Sequence, residues 1–132
     1  MPAARTAGKA KAAAHAFRIK RVYEAADKGD GFRVLVDRLW PRGIAKQKAR
    51  IDLWLKDVSP SDELRRRVHA DPSQWAAFVA DYGRELQREP ARSAVDMLRE
   101  RVRHGPVTLL YAARDETHNN AIALKAWLEK KK

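Results

Sequence analysis

Two short runs of consecutive apolar residues leave this chain few folds to choose from. Val34-Leu35-Val36 and Val107-Thr108-Leu109-Leu110-Tyr111-Ala112-Ala113 are too short for helices and rich in residues that suit a pleated surface. A strand that is apolar at successive positions, rather than at every second one, is covered on both faces. The runs therefore predict buried strands over 32–39 and 107–113, the first of them near the centre of a sheet. Helical stretches separate the runs, and another follows the second. Strand, polar turn and helix make half of a parallel α/β unit. The expected fold is α/β, a small and mostly parallel sheet of about four strands with helices packed on it.

A length of 132 residues suits one domain with one core. The expected organisation is a basic tail over 1–16, a single domain over 17–129 and a basic end over 130–132. The tail carries Arg5, Lys9 and Lys11, no acid and no apolar stripe, a composition that predicts disorder. Phe17-Arg18-Ile19-Lys20-Arg21-Val22-Tyr23 alternates imperfectly between apolar and basic, as a first strand would. Its link to the next run is shorter than a parallel crossover needs, so antiparallel pairing of the two is locally natural, with the direction of the first strand left open. Residues 44–50 predict an exposed basic loop or a single helical turn, and Ile51 to Val58 an edge strand, with a helical turn a close second.

Ser59-Pro60-Ser61-Asp62 and Asp71-Pro72-Ser73-Gln74 each open a helix, with a capping side chain followed by proline at the first helical position. Trp75, Phe78, Val79, Tyr82 and Leu86 then recur at spacings of three and four, which places them on one face. Pro90 ends that helix. A third helix is expected over 91–103, stopped by His104-Gly105-Pro106. Ala121, Leu124 and Leu128 mark a last one.

The formal charge of +11 calls for anionic partners. The two ends hold six of those charges, leaving the body at about +5 with acids and bases interleaved, as on a solvated helix surface. The absence of cysteine excludes disulfides, zinc knuckles and a thiolate nucleophile. No run of about 18 apolar residues predicts a membrane span, and no secretory signal is evident, so the cytoplasm is the expected location. His15, His69, His104 and His118 lack the spacing of metal ligands, and no glycine-rich phosphate loop is present. Neither a metal nor a cofactor is predicted.

Chemistry concentrates in two loops. The first, after the strand at 32–39, holds Asp37, Arg38, Trp40 and Arg42 and is stiffened by Pro41 and Gly43. The second, after 113, holds Arg114, Asp115, His118 and Asn119. If the two strands run parallel and adjacent, both loops emerge on one side of the sheet, where α/β proteins place ligands. Arg38, Arg42 and Arg114 would then converge with Asp37, and guanidinium forks suit carboxylate or phosphate. If Asp115 caps the last helix, the free N–H groups of residues 116–118 and the helix dipole also favour an anion. Asp37 or His118 is the candidate acid or base.

The structural alternative has Asp37 fixing its loop through an arginine while Trp40 packs in the core. The expected partner is a small anionic ligand, a nucleotide or phosphorylated metabolite. The competing reading is a nucleic-acid-binding or regulatory module that sets its basic ends and arginines on phosphates. Trp40 and Trp54 equally suit a homodimer contact.

Several ordered motifs carry a family resemblance. Lys20-Arg21-Val22-Tyr23, the run from Val34 to Gly43, Pro60-Ser61-x-x-Leu64-Arg65, and Leu109 to Asp115 with His118-Asn119 together resemble the YeaO-like family of small bacterial proteins, domain of unknown function 488. The resemblance covers about Phe17 to Leu128. It implies an α/β fold and points to the loops after Leu39 and Ala113 as functional places. The chain departs from the family pattern at Arg67-Val68 and at His69-Ala70-Asp71, where an aromatic pair and a histidine next to the Asp-Pro cap are usual. The displaced His69 is turned by about 100° around a helix.

Overall fold

A computed structural model describes residues 16–130 of the chain. Strands β1 (Phe17–Arg21), β2 (Phe32–Leu35), β3 (Leu53–Trp54) and β4 (Val107–Tyr111) form one sheet in the order β1-β4-β2-β3. Every pairing is parallel, with Phe17 and Phe32 both in register with Val107. Among the described residues five α-helices accompany it: α1 (Lys46–Ala49), α2 (Asp62–Ala70), α3 (Trp75–Leu86), α4 (Ala91–Val102) and α5 (Asn120–Glu129). The tail expected over 1–16 lies, but for its last residue, outside the described residues, as do Lys131 and Lys132.

The locally natural antiparallel pairing of the first two strands does not occur. β4, from the far end of the chain, lies between them and pairs with both. The segment joining β1 to β2 therefore spans two strand spacings, carrying a tight helical turn over Lys28–Asp30. Both central strands are shorter than expected, because each leaves the ladder where its loop begins. β3, at the sheet's edge, keeps only Leu53 and Trp54 of the alternating segment.

Burial on both faces explains the consecutive apolar residues. Val34, Val36, Val107, Leu109 and Tyr111 point into the main core, where they meet Phe78, Tyr82, Leu98 and Leu124 from the helices. Leu35 and Leu110 point the other way, into a smaller cluster with Val22, Trp40, Ile44 and Trp54 that loops rather than long helices cover. Helix starts sit later than expected. Ser59 Oγ donates to Lys56 O at 2.6 Å and closes a turn, so Ser61 caps α2 by accepting from the Leu64 N–H at 3.3 Å.

The strand edge opposite the two loops is locked by a buried ionic network. Asp30, 2% exposed, pairs with Arg33 and with Lys20 Nζ at 2.9 Å. Arg33 also donates to Arg50 O at 2.7 Å and Ala49 O at 3.2 Å, while Thr108 Oγ1 donates to Asp30 O at 2.7 Å. Burial pushes the Asp30 carboxyl up, but hydrogen bonds from Lys20, the Asp27 N–H and Arg33 outweigh it and hold the group below the usual carboxylate value. Gly31 beside it has φ 64°, and a Cβ there would stand 2.2 Å from Pro106 O, so only glycine fits.

Asp30→Asn leaves a buried guanidinium without its counter-charge and is expected to lower the unfolding free energy by about 3 kcal/mol. Because the folded carboxyl titrates below its unfolded value, the Asp30 contribution is complete above about pH 4 and fades as pH falls through the folded value. Urea unfolding at neutral pH checks the first expectation; a loss under about 1 kcal/mol would contradict it.

Candidate functional site

β2 and β4 part company just past their shared ladder. The last backbone rung is the Val36 N–H donating to Leu110 O at 3.1 Å. A side chain makes the next contact: Asp37 Oδ2 accepts the Ala112 N–H at 2.9 Å, and Oδ1 accepts from Asn120 Nδ2 at 3.1 Å. Trp54 Nε1 donates to Asp37 O at 2.7 Å and ties the same residue to β3. On the other side, Arg21 donates to Ala112 O and Ala113 O, both at 2.9 Å. The fork is thus held open by polar contacts from three strands and the start of α5.

A cleft of about 330 Å³ occupies this fork, within the size range of small-molecule sites. Arg38, Arg42, Arg65 and Arg114 reach it from three separate segments of the chain. Its other walls are largely apolar, from Leu39, Trp40, Pro41 and Pro60 on one side and Ala112 and Ala113 on the other. Leu39, 64% exposed, stands at the open side of the cleft.

The four arginines are not equivalent. Arg42 and Arg114 are exposed, and among the described residues their guanidinium groups make no ion pair or hydrogen bond. Arg38 donates to Pro60 O at 3.3 Å and lies 3.8 Å from Asp62 Oδ1, to which Arg65 donates at 3.3 Å. The Nε atoms of Arg38 and Arg65 are buried without a hydrogen-bond partner among the described residues. Arg65 is carried by α2, whose start α3 fixes: Glu85 Oε1 accepts the Ser61 N–H at 2.9 Å, and the buried Tyr82 hydroxyl donates to Val58 O. Burial pushes the Tyr82 hydroxyl far up, so it stays a donor.

Of the residues singled out in the sequence, Asp37, Arg38, Trp40, Arg42 and Arg114 come together at the cleft; Asp115, His118 and Asn119 do not line it. The Trp40 and Trp54 rings meet edge to face at 5.3 Å, and Trp40 Nε1 donates to Ile44 O at 2.7 Å. Asp115 does not cap the last helix. Its carboxylate accepts from the Thr117 N–H, the His118 N–H and Thr117 Oγ1, each at 2.9 Å, while Asn119 caps α5 by accepting from the Ile122 N–H. Two of the three N–H groups expected to meet an anion there, those of Thr117 and His118, are already engaged. His118 sits edge-on to Trp75 of α3 at 5.1 Å, with Nδ1 3.1 Å from Thr117 Oγ1.

Three cleft residues escaped the sequence reading: Tyr23, Arg65 and Asn120. Tyr23 donates to Arg42 O at 2.9 Å beneath the Arg21 guanidinium, 4.9 Å from its ring. Tyr23 and Arg65 belong to motifs that carry the family resemblance, which was the available signal. Asn120 had only its adjacency to Asn119. Among the described residues no group of three or more His, Asp or Glu is placed to hold a metal ion, and no helix is long and apolar enough to cross a membrane.

A family model described as the inactive DUF488-N3 subclade matches residues 16–132. The uncharacterized protein YeaO of Escherichia coli (strain K12) is 42% identical over 111 residues, which cover 83% of this chain and 93% of that protein. Uncharacterized protein Mb3100c of Mycobacterium bovis and uncharacterized protein Rv3073c of Mycobacterium tuberculosis are each 45% identical over 91 residues, 69% of this chain and 77% of theirs. No solved structure matches the chain.

Two measurements test this geometry. Asp37→Ala removes an acceptor from the Ala112 N–H and is expected to cost about 2 kcal/mol in urea unfolding. A cost near zero would mean that the fork closes without it. For Asp115, the Thr117 N–H, the His118 N–H and the Thr117 hydroxyl hold the carboxyl at about 2. Carboxyl-carbon NMR should place its midpoint there, and Thr117→Val should raise it; a midpoint at the ordinary aspartate value would contradict the turn.

Proposed function

This chain belongs to the YeaO-like DUF488 family, in its inactive DUF488-N3 subclade, and on that premise we propose that it is a binding domain for a small anionic ligand. The ligand is a nucleotide or another phosphorylated metabolite, held between the loops that follow β2 and β4. One observation carries the reading: four guanidinium groups converge on a fork in the sheet whose remaining walls are largely apolar. Like charges gathered in excess of the acids beside them repel one another, and an incoming anion relieves that repulsion. Apolar walls exclude water and strengthen each contact, and they suit the body of a ligand whose head is charged.

Binding rather than turnover is favoured by the state of the candidate proton carriers. Asp37 already accepts from Ala112 and Asn120, and His118 stands off the cleft against Trp75. The subclade's description as inactive agrees with this. The nucleic-acid alternative draws on the overall charge, whereas the cleft pairs its charges with a cavity of small-molecule size.

A panel of nucleotides and phosphorylated metabolites is expected to raise the melting temperature of the full chain by several degrees, as about 1 to 3 kcal/mol of linked binding would. Arg42→Ala and Arg114→Ala should each abolish most of that rise. If no member of the panel shifts the transition, or if both variants respond like the parent, the ligand reading fails. Duplex or single-stranded nucleic acid that binds with a steep salt slope while the panel is silent would favour the alternative.

A further inference from the structure

Within the cleft, Arg38 and Arg65 converge on a single carboxylate oxygen, Asp62 Oδ1, at 3.8 and 3.3 Å. Both arginines keep a buried Nε–H that no acceptor among the described residues satisfies. A buried donor without an acceptor is costly, and native structures rarely leave one. The Nε atoms themselves are closed off, but the two side chains are 41% and 37% exposed, so their outer N–H groups stay open beside the cleft to an acceptor with several oxygens.

The carboxylate present does not fill that role. Asp62 opens α2 next to the Ser61 cap, its side chain is 56% exposed, and it lies beyond hydrogen-bond distance of Arg38 Nε. It accepts one hydrogen bond from Arg65 and leaves the Nε–H of both arginines without an acceptor among the described residues. Counting Asp37 and Asp62 against Arg38, Arg42, Arg65 and Arg114 leaves an excess of two positive charges around the cleft. A singly charged carboxylate ligand would leave half of that excess in place, whereas a phosphate monoester brings two charges and three acceptor oxygens at neutral pH.

Building on the anion-binding reading above, we infer that Arg38 and Arg65 form the phosphate station of the cleft and that Asp62 is a resident counter-anion which a dianionic phosphate monoester displaces. Arg65 is then a recognition residue rather than the surface partner in a helical i,i+3 ion pair. Asp62 sets the affinity from the opposite side. Occupying the station, it keeps the two arginines from repelling one another when the cleft holds no ligand, and it competes with any anion that enters. Arg42 and Arg114, exposed at the cleft and unpaired among the described residues, attract the ligand without distinguishing a phosphate from a carboxylate.

The test uses phenyl phosphate and benzoate, which share an aromatic body and differ in their anionic head, titrated by calorimetry into the full chain and its variants. Phenyl phosphate is expected to bind at least tenfold more tightly than benzoate. Arg65→Gln should weaken phenyl phosphate by tenfold or more and narrow that preference. Asp62→Asn, which keeps the shape and removes the competing charge, should tighten phenyl phosphate threefold or more.

The sign of the Asp62→Asn effect is decisive, because a residue that merely orients the arginines would weaken binding when neutralised. Weakening by Asp62→Asn, or an Arg65→Gln variant with parental affinity and preference, overturns this inference. If either occurs while Arg42→Ala and Arg114→Ala still abolish binding, the anion-binding reading stands and only the phosphate station is wrong. Absence of phenyl phosphate binding in the parent overturns the inference, and the nucleotide panel then decides the broader reading. Melting curves and far-ultraviolet circular dichroism of each variant establish that it is folded before its affinity is compared.

Discussion

The architecture turns on what happens where β2 and β4 separate. Two parallel strands that diverge strand backbone donors and acceptors at the branch, and a buried amide left unmatched costs as much as a lost hydrogen bond. Asp37 resolves this by substituting its carboxylate for the next backbone carbonyl, taking the Ala112 N–H at 2.9 Å. The chain beyond Asp37 is then free to leave the sheet plane. It carries Arg38, Leu39, Trp40 and Arg42 along one wall, while Arg114 leaves β4 along the other. Without that substitution the ladder would either continue and close the gap or fray and lose its shape. A carboxylate placed for catalysis by sequence logic is thus engaged in building the site.

The two ends of the sheet handle cationic side chains in opposite ways. Beside the N-terminal end of β2, Arg33 and, reaching across from β1, Lys20 are matched to Asp30, and the remaining Arg33 donors find the carbonyls of Ala49 and Arg50. Such a closed network is needed wherever a guanidinium is taken fully out of water. At the C-terminal edges, Arg38 and Arg65 share the exposed Asp62 carboxylate, Arg38 adds one carbonyl, Pro60 O, and the Arg42 and Arg114 guanidinium groups have no partner among the described residues. The same residue type in the same small domain is satisfied at one end and left open at the other. Stability accounts for the first arrangement and gives no reason for the second.

How much of this was legible in the sequence follows from the range of each interaction. The strand runs were readable because burial on both faces leaves an unbroken apolar signature, and their parallel sense followed from the helices between them. Once the strands were parallel neighbours, the convergence of Arg38, Arg42 and Arg114 was a matter of topology. The insertion of β4 between β1 and β2 was not readable, because nothing local to residues 17–35 reports a partner near residue 109. Caps slipped for a related reason. Ser59 and Asp115 are good caps by type, but Lys56 O claims the Ser59 hydroxyl and the Thr117 and His118 N–H groups claim the Asp115 carboxylate, so Ser61 and Asn119 take over. Arg65 was missed because α2 owes its position to Tyr82 and Glu85, some 20 residues further along the chain.

An arrangement of this kind would couple anion binding to folding. Arg38 and Arg42 belong to the loop after β2, Arg65 to α2 and Arg114 to the loop after β4, so an anion that touches all four bridges three segments widely separated in sequence. Such a ligand acts as a non-covalent cross-link and stabilises the folded state by mass action, with no affinity for the unfolded chain where the arginines are dispersed. The unliganded cleft carries the converse burden: gathered positive charge lowers stability, and the Asp62 carboxylate and Asp37 offset only part of it. Apolar walls sharpen the effect, because they reduce the screening that water would provide between the guanidinium groups. The feature that weakens the empty domain is therefore the one that would hold the ligand.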